Sequence, residues 1–283
     1  MNARGPVRGG AVLLLAAIAL AAGARAQGEH GSASGVLEIT QAAASMENKI
    51  GAVVDRDLTF TDDRGYPFQL KQLFPGDRPV ILVLGYYGCP DMCGTVMLGM
   101  LDALNQTELV PGKDYEIVNV SIDPRETPQS ARTRKEHFLP KLHQVGGPEG
   151  WRFLIGDKDS IQTLADSVGF RFFWSEFTNR FDHPAALLFL TPQGKLNRVI
   201  TGQTFDPETV HLAIVEAGQG KNASFWDKVR LSCLTFDSRT NVYSLAAMTV
   251  MRVGGAITLV AVAAMIFLMV RRERRRAAAA ATT

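Results

Sequence analysis

Residues 79–104 read PVILVLGYYGCPDMCGTVMLGMLDAL. The apolar run from Pro79 to Tyr87, bounded by proline and glycine, is typical of a strand that is buried on both faces of a sheet. After Cys93 the apolar residues recur with helical spacing, at Val96, Met97, Met100, Leu101 and Leu104. The stretch therefore predicts a buried strand, a turn that contains Cys89 and Cys93, and a helix.

Strands and helices are predicted to alternate on both sides of this unit. Leu58–Phe60 and Tyr66–Leu70 flank a turn signal and predict a β-hairpin. The other predicted strands are Tyr115–Ile122, Trp151–Ile155, Phe170–Trp174, Ala185–Leu190 and Leu196–Thr201, and the other helices are Thr127–Phe138, Ser160–Val168 and Pro207–Glu216. This alternation predicts one α/β domain over residues 51–218, with a central, mostly parallel sheet.

The N-terminal residues carry a targeting signal. Residues 1–26 combine a basic start, an apolar run and the small-residue exit Ala24-Arg25-Ala26, which is the layout of a secretory signal peptide. An uncleaved N-terminal anchor is the alternative. Residues 27–50, rich in Gly, Ser and Ala, are predicted to be a linker.

The C-terminal residues carry a second membrane signal. Residues 245–270 are predicted to be a transmembrane helix, because Val253–Val270 is an uncharged stretch close to the length that crosses hydrocarbon. Five arginines follow it, so the tail, residues 271–283, is predicted to be cytoplasmic. Residues 219–244 would then be a membrane-proximal segment, and in a bacterium the domain would lie in the periplasm, anchored to the inner membrane.

The composition excludes several classes of protein. Hydrophobic residues make up 46% of the 283 residues, too many for a disordered chain. The formal net charge is +2, but residues 27–252 hold only 22 Lys and Arg against 27 Asp and Glu. This acidic body argues against nucleic acid as a partner. Three cysteines are too few for a scaffold built on disulfides, so any cysteine chemistry is local.

The two cysteines of the turn lie four positions apart. In a helical turn, positions i and i+4 share a face, so both sulfurs could converge on one point. The amides at a helix N-terminus favour the thiolate, which is both a nucleophile and a metal ligand. The pair could therefore cycle as a disulfide or bind a soft ion such as Cu(I). Two core cysteines or one inert disulfide would be the purely structural alternatives.

Several motifs occur in a fixed order, namely FTDDRG at 60–65, YYGCPDMC at 86–93, VSIDPRETP at 120–128 and Asp182-His183. Together they resemble the Sco/SenC family of copper-binding, thioredoxin-like assembly factors for cytochrome c oxidase. The resemblance covers about residues 50–218. It implies a thioredoxin-like fold with an added hairpin and helix.

The family pattern also implies a ligand set. Cys89 and Cys93 would be thiolate ligands and His183 would complete a copper site that holds Cu(I) or Cu(II). Asp182 could orient the imidazole or face water. Asp123 would lie near the copper loop, although capping of the next turn explains it equally well.

The chain departs from the family pattern at two positions. Gly94 stands where members usually have proline, and glycine would loosen the first helical turn. Pro184 stands where members commonly have serine, and it favours an extended His183. Neither change removes a ligand atom.

Other residues that could bind or react receive structural interpretations. His30, His137, His143 and His211 are predicted to be exposed to solvent. Tyr86 and Tyr87 would wall the site or pack in the core, and Met92 would be an exposed turn residue. Cys233 is predicted to be a buried or membrane-proximal thiol without a function.

Two functions remain open. The first is a metallochaperone without turnover, which receives copper from a donor chaperone and passes it to the binuclear copper centre of an oxidase subunit. The second is a thiol-disulfide reductase in which Cys89 and Cys93 form a redox pair that keeps the cysteines of that centre reduced. His183 favours the first, because dithiol exchange requires no distant imidazole. A peroxidase-like activity fits the cysteine spacing less well.

Overall fold

The computed structural model describes residues 44–89, 92–143, 150–219, 225–237, 240–245 and 247–280. The predicted signal peptide and nearly all of the linker lie outside these ranges. The strands are β1 Thr59–Asp62, β2 Pro67–Gln69, β3 Val80–Gly85, β4 Glu116–Ser121, β5 Trp151–Ile155, β6 Phe173–Ser175, β7 Arg180–Asp182, β8 Ala186–Leu190, β9 Leu196–Thr201, β10 Leu234–Asp237 and β11 Val242–Leu245. The helices are α1 Met92–Leu104, α2 Pro128–Phe138, α3 Lys158–Val168, α4 Pro207–Ala217, α5 Phe225–Cys233 and α6 Ala247–Ala280.

A seven-stranded sheet in the order β2-β1-β5-β4-β3-β8-β9 forms the centre of the domain. The strands β5, β4 and β3 are parallel to one another, whereas the pairs towards both edges are antiparallel. Every residue of β4 is buried, as expected for a parallel strand covered by helices on both faces. The predicted α/β class with an added N-terminal hairpin is confirmed.

Two hydrophobic clusters cover the two faces of this sheet, and β3 contributes to both. Ile81 and Val83 belong to the cluster with α1 and α4, while Leu82 and Leu84 belong to the cluster with α3. This alternation follows from the two-residue period of a strand. Burying a side chain of this size stabilises the fold by about 1.5–3 kcal/mol, so β3 is held firmly and the turn that follows it starts from a fixed point.

The hairpin β6–β7 forms a separate two-stranded sheet. It begins later than the predicted strand Phe170–Trp174, because Phe170 instead bridges to Met46 and is buried in the core. Three residues link β7 to β8, and β8 runs antiparallel to β3. The end of β3 and the start of β8 therefore lie at the same edge of the sheet.

The segment after α4 folds back onto the domain. The hairpin β10–β11 is not among the predicted elements, yet its turn residue Asn241 donates to the carbonyl and hydroxyl oxygens of Thr201 at 3.1 and 2.9 Å. Two residues later, the Tyr243 hydroxyl donates to Glu216 at 2.5 Å, and Arg198 binds the same carboxylate through both of its oxygens. Helix α6 follows one residue after β11.

Candidate metal centre

The cysteine turn follows β3 directly. The Cys89 backbone N–H donates to the Tyr86 carbonyl at 3.3 Å, which turns the chain towards α1. Cys89 is half-buried and packs against the hydrophobic cluster that contains Tyr86. Cys93 belongs to the first turn of α1, but its side chain and residues 90–91 lie outside the described part of the structure. The convergence of the two sulfurs therefore stays a prediction.

His183 lies between β7 and β8 against two aromatic rings. It stacks on Phe170 with ring centroids 5.9 Å apart and meets Tyr86 edge-on at 6.0 Å. Its Nδ1 lies 3.0 Å from the carbonyl oxygen of Pro184. Because a carbonyl only accepts, this contact is a hydrogen bond in the neutral tautomer that carries its proton on Nδ1 and its lone pair on Nε2.

The contact between His183 and Tyr86 brings two distant parts of the chain together. Tyr86 precedes Cys89 by three residues, so the histidine ring lies beside the strand end that leads to the cysteine turn. Among the described side chains, which do not include Cys93, no three His, Cys, Asp or Glu residues are grouped closely enough to hold a metal ion. The three-ligand set of Cys89, Cys93 and His183 therefore stays a prediction.

The two aspartates predicted near the site have different surroundings. Asp182 ends β7 and is half-buried, and a role in orienting His183 stays a prediction. Asp123 is buried at the end of β4, and its two carboxylate oxygens accept hydrogen bonds at 2.8 Å from Arg125. The Arg125 backbone N–H also donates to Asp123 at 2.9 Å, which matches the predicted capping of the turn.

Glu126 is not among the predicted site residues, although it contacts the cysteine turn. Its Oε1 accepts a 2.6 Å hydrogen bond from the backbone N–H of Gly88, next to Cys89. Burial raises the pKa of the Glu126 carboxyl, and the neighbouring charge of Asp123 acts in the same direction. The sequence could have indicated Glu126 by its position after β4, since neighbouring parallel strands present their carboxyl ends at one edge of the sheet.

The tyrosines behave as expected from the sequence. Tyr86 is buried against Phe181 and His183. The Tyr87 hydroxyl lies 2.7 Å from the Leu154 carbonyl oxygen and 3.0 Å from that of Asn119. Burial raises the pKa of Tyr87 well above its ordinary value. Tyr86 thus belongs to one hydrophobic cluster and Tyr87 packs against the other. Both residues line a cavity of about 20 Å³, which has room for roughly one water molecule.

The histidines outside the site are only partly as predicted. His137 and His143 are exposed, whereas His30 lies outside the described residues. The prediction for His211 is wrong, because its side chain is 21% exposed and its Nε2 lies 3.2 Å from the buried carboxylate of Asp227. The reason is the packing of α5 on α4, which the sequence pattern did not indicate. Cys233 ends α5, and its side chain is not described.

Comparisons with known proteins agree with this architecture. The chain matches the model of the SCO1/SenC family over residues 47–217, more than half of its length. A curated relative from Stutzerimonas stutzeri, named for copper binding, is 26% identical over 143 residues. The match covers 49% of this chain and 65% of that relative, slightly less than two thirds of its length.

Solved structures are similar to this chain. A protein from Aquifex aeolicus, named for electron transfer, is 24% identical with a TM-score of 0.54, and the match covers 62% of this chain and 97% of that protein. ScoI of Arabidopsis thaliana, solved with copper bound, is 22% identical with a TM-score of 0.46 and covers 60% and 98% of the two chains. The Aquifex structure confirms the predicted thioredoxin-like class. With the family's model matched over more than half of its length, the chain belongs to the SCO1/SenC family.

Proposed function

We propose that this chain is a copper metallochaperone that serves the assembly of the binuclear copper centre of a cytochrome c oxidase. Cys89 and Cys93 would bind copper as thiolates and His183 as an imidazole. The observation that carries this proposal is the contact between His183 and Tyr86. It brings an imidazole from far along the chain to the strand end that leads into the cysteine turn.

The donor set suits copper in both oxidation states. Thiolates are soft ligands that favour Cu(I), and imidazole suits Cu(II) as well. The hydrogen bond of His183 Nδ1 to Pro184 supports ligation through Nε2, because a metal-bound histidine commonly donates its other N–H to a backbone carbonyl. The copper is cargo in this proposal, received from a donor chaperone and passed to the oxidase subunit without turnover.

We also propose that the C-terminal helix anchors the chain in the inner membrane. Residues Gly254–Arg271 of α6 are long and apolar enough to cross a membrane, and they are exposed. The arginines at 271, 272 and 274–276 favour a cytoplasmic tail. The domain would then lie in the periplasm.

The contacts of β10–β11 support a proposal about the orientation of the copper site relative to this anchor. Thr201, which contacts the hairpin turn, pairs with Ala186, three residues after His183. Tyr243 contacts Glu216, which also binds Arg198. Arg198 precedes Thr201 on β9 and pairs with Phe189, so it is farther from His183 than Thr201 is. The chain therefore runs away from His183 as it approaches α6. We infer that the site faces away from the membrane, towards a partner's exposed domain.

The test is copper binding by the full chain, reduced and purified anaerobically in detergent. About one copper per chain is expected, with thiolate-to-Cu(II) charge transfer in the visible spectrum. His183→Ala should weaken Cu(II) binding by more than the roughly 10–100-fold that loss of an outer-shell partner costs. The control is His137→Ala, which replaces an exposed histidine and should bind like the parent. Parent-like binding by His183→Ala would contradict the chaperone proposal.

The alternative is a thiol-disulfide reductase. In that reaction Cys89 and Cys93 would give two electrons and two protons to a partner's disulfide, which becomes two thiols while the pair becomes a disulfide. The observation that favours it is the half-buried Glu126 carboxyl beside Gly88, because a carboxyl with a raised pKa can exchange protons near a reacting thiol. The reductase function would be favoured if the His183→Ala variant still formed the disulfide and still bound Cu(II) like the parent.

A further inference from the structure

The hairpin β6–β7 determines where His183 lies, because β7 ends at Asp182. Its two strands pair with each other, and within the described ranges neither pairs with a strand of the seven-stranded sheet. Backbone hydrogen bonds of a ladder therefore do not fix the hairpin to the sheet. Its position depends on the packing of its side chains.

Arg125 connects this hairpin to the central sheet. Its Nε and one terminal nitrogen donate to the two oxygens of Asp123, both at 2.8 Å, as a bidentate pair. Asp123 is only 8% exposed and directly follows Ile122 after β4. The guanidinium plane is thus held by a residue at the end of a fully buried strand, although the arginine side chain itself is 62% exposed.

The guanidinium lies over two aromatic side chains of the hairpin. Cζ of Arg125 lies 4.5 Å from the ring centroid of Trp174 and 5.7 Å from that of Phe181. These two residues are cross-strand partners with rings 5.1 Å apart. Phe181 also meets Tyr86 at 5.7 Å, and Tyr86 meets His183. A continuous series of contacts therefore leads from Arg125 to the candidate ligand.

We propose that Arg125 is a positioning residue that holds the β6–β7 hairpin, and with it His183, against the loop that carries Cys89. This proposal rests on the proposed function, in which His183 is a ligand. Asp123 acts indirectly, because it fixes the guanidinium of Arg125 and not the imidazole of His183. The planar guanidinium suits this role because one face can stack on a ring while its edge pairs with a carboxylate.

The experiment compares Arg125→Ala with Arg64→Ala in the full chain. Arg64 is a matched control, since it pairs with Asp62 two positions earlier and its side chain is 59% exposed. Within the described residues, no aromatic ring lies under its guanidinium. Arg125→Ala should speed amide hydrogen exchange over residues 173–182 in the metal-free protein. It should also weaken Cu(II) binding about tenfold and reduce the nitrogen coupling in the electron paramagnetic resonance spectrum.

A conservative variant separates charge from geometry. Arg125→Lys keeps the charge but loses the fork and the planar stack, so it should behave more like Arg125→Ala than like the parent. Arg64→Ala should change neither exchange nor copper binding.

Two results would overturn the positioning role. One is unchanged exchange over residues 173–182 in Arg125→Ala. The other is faster exchange with unchanged Cu(II) affinity and nitrogen coupling, because the hairpin would then move without His183. If the parent chain binds no copper, the proposed function fails; the exchange comparison, together with the His183 ring signals in nuclear magnetic resonance spectra, still tests the hold of Arg125 on the hairpin.

Discussion

At the scale of single residues, Glu126 shows how a half-buried carboxyl can serve the site at a cost to stability. It fixes the Gly88 N–H beside Cys89. Burial nevertheless raises its pKa, so the folded state binds a proton at pH values where the unfolded state has lost it. Its contribution to stability is therefore largest at low pH and falls as the pH rises through the window between the ordinary and the raised pKa.

We expect Glu126→Gln to be more stable than the parent at about pH 7. This difference in stability should vanish at about pH 4, below the ordinary carboxyl pKa. The amide can still accept the hydrogen bond from Gly88 but carries no charge to desolvate. Thermal unfolding of both proteins across this pH range measures the difference. Glu136→Gln is the control, because Glu136 is exposed on α2. A loss of stability of equal size at all pH values would contradict the role of burial.

At the scale of the elements, α1 contains two glycines in opposite surroundings. Among the described residues, the nearest neighbour of a Cβ at Gly94 would be an Arg134 nitrogen at 3.9 Å, which is ordinary contact. A Cβ at Gly99 would overlap the carbonyl oxygen of Gln203. Gly99 therefore permits the close approach of α1 to the segment after β9, whereas Gly94 leaves room for a side chain. A side chain as small as that of alanine is therefore compatible with position 94.

We expect Gly94→Ala to stabilise the chain by about 0.5–1 kcal/mol, because alanine loses less conformational entropy in a helix. Gly99→Ala should destabilise it by about 1–3 kcal/mol through overpacking. Chemical denaturation of the two variants under reducing conditions measures both. Equal changes in the free energy of unfolding for the two substitutions would show that the surroundings of the glycines do not determine the change in stability.

At the scale of the whole molecule, the C-terminal segment makes specific contacts with the domain. Glu216 is central to them, because it accepts hydrogen bonds from both Arg198 and Tyr243. The Arg198 guanidinium in turn lies 4.5 Å from the ring centroid of Phe236. The family match ends at residue 217, so the hairpin β10–β11 lies beyond it, while Glu216 and Arg198 lie within it. The described part of the segment before α6, residues 225–237 and 240–245, is therefore folded.

We expect Glu216→Ala to release this hairpin, with faster amide hydrogen exchange over residues 234–245 than in the parent. Glu136→Ala, which removes an exposed carboxylate, should leave exchange in this segment unchanged. Cu(II) affinity should remain that of the parent in both variants, because the contacts lie away from the cysteine turn. Unchanged exchange in Glu216→Ala would show that the ion pair does not hold the hairpin.

The sequence by itself determined the local structure around the cysteines. The apolar run of β3 and the helical spacing after Cys93 predicted the strand, the turn and α1. The spacing of apolar residues within a segment shows which of its faces is buried, and this needs no knowledge of distant residues. The ordered motifs also indicated the family. They singled out His183 among five histidines by resemblance, before any contact was known.

Only the tertiary structure decided which distant residues meet. The contact of His183 with Tyr86 depends on the antiparallel register of β3 and β8, and Glu126 reaches Gly88 because β4 lies beside β3. The stacking of Arg125 on Trp174 depends on where the β6–β7 hairpin packs. Periodicity reports how deeply a segment is buried but not which segment covers it. Contacts that set the chemistry of the site therefore follow from strand order and packing.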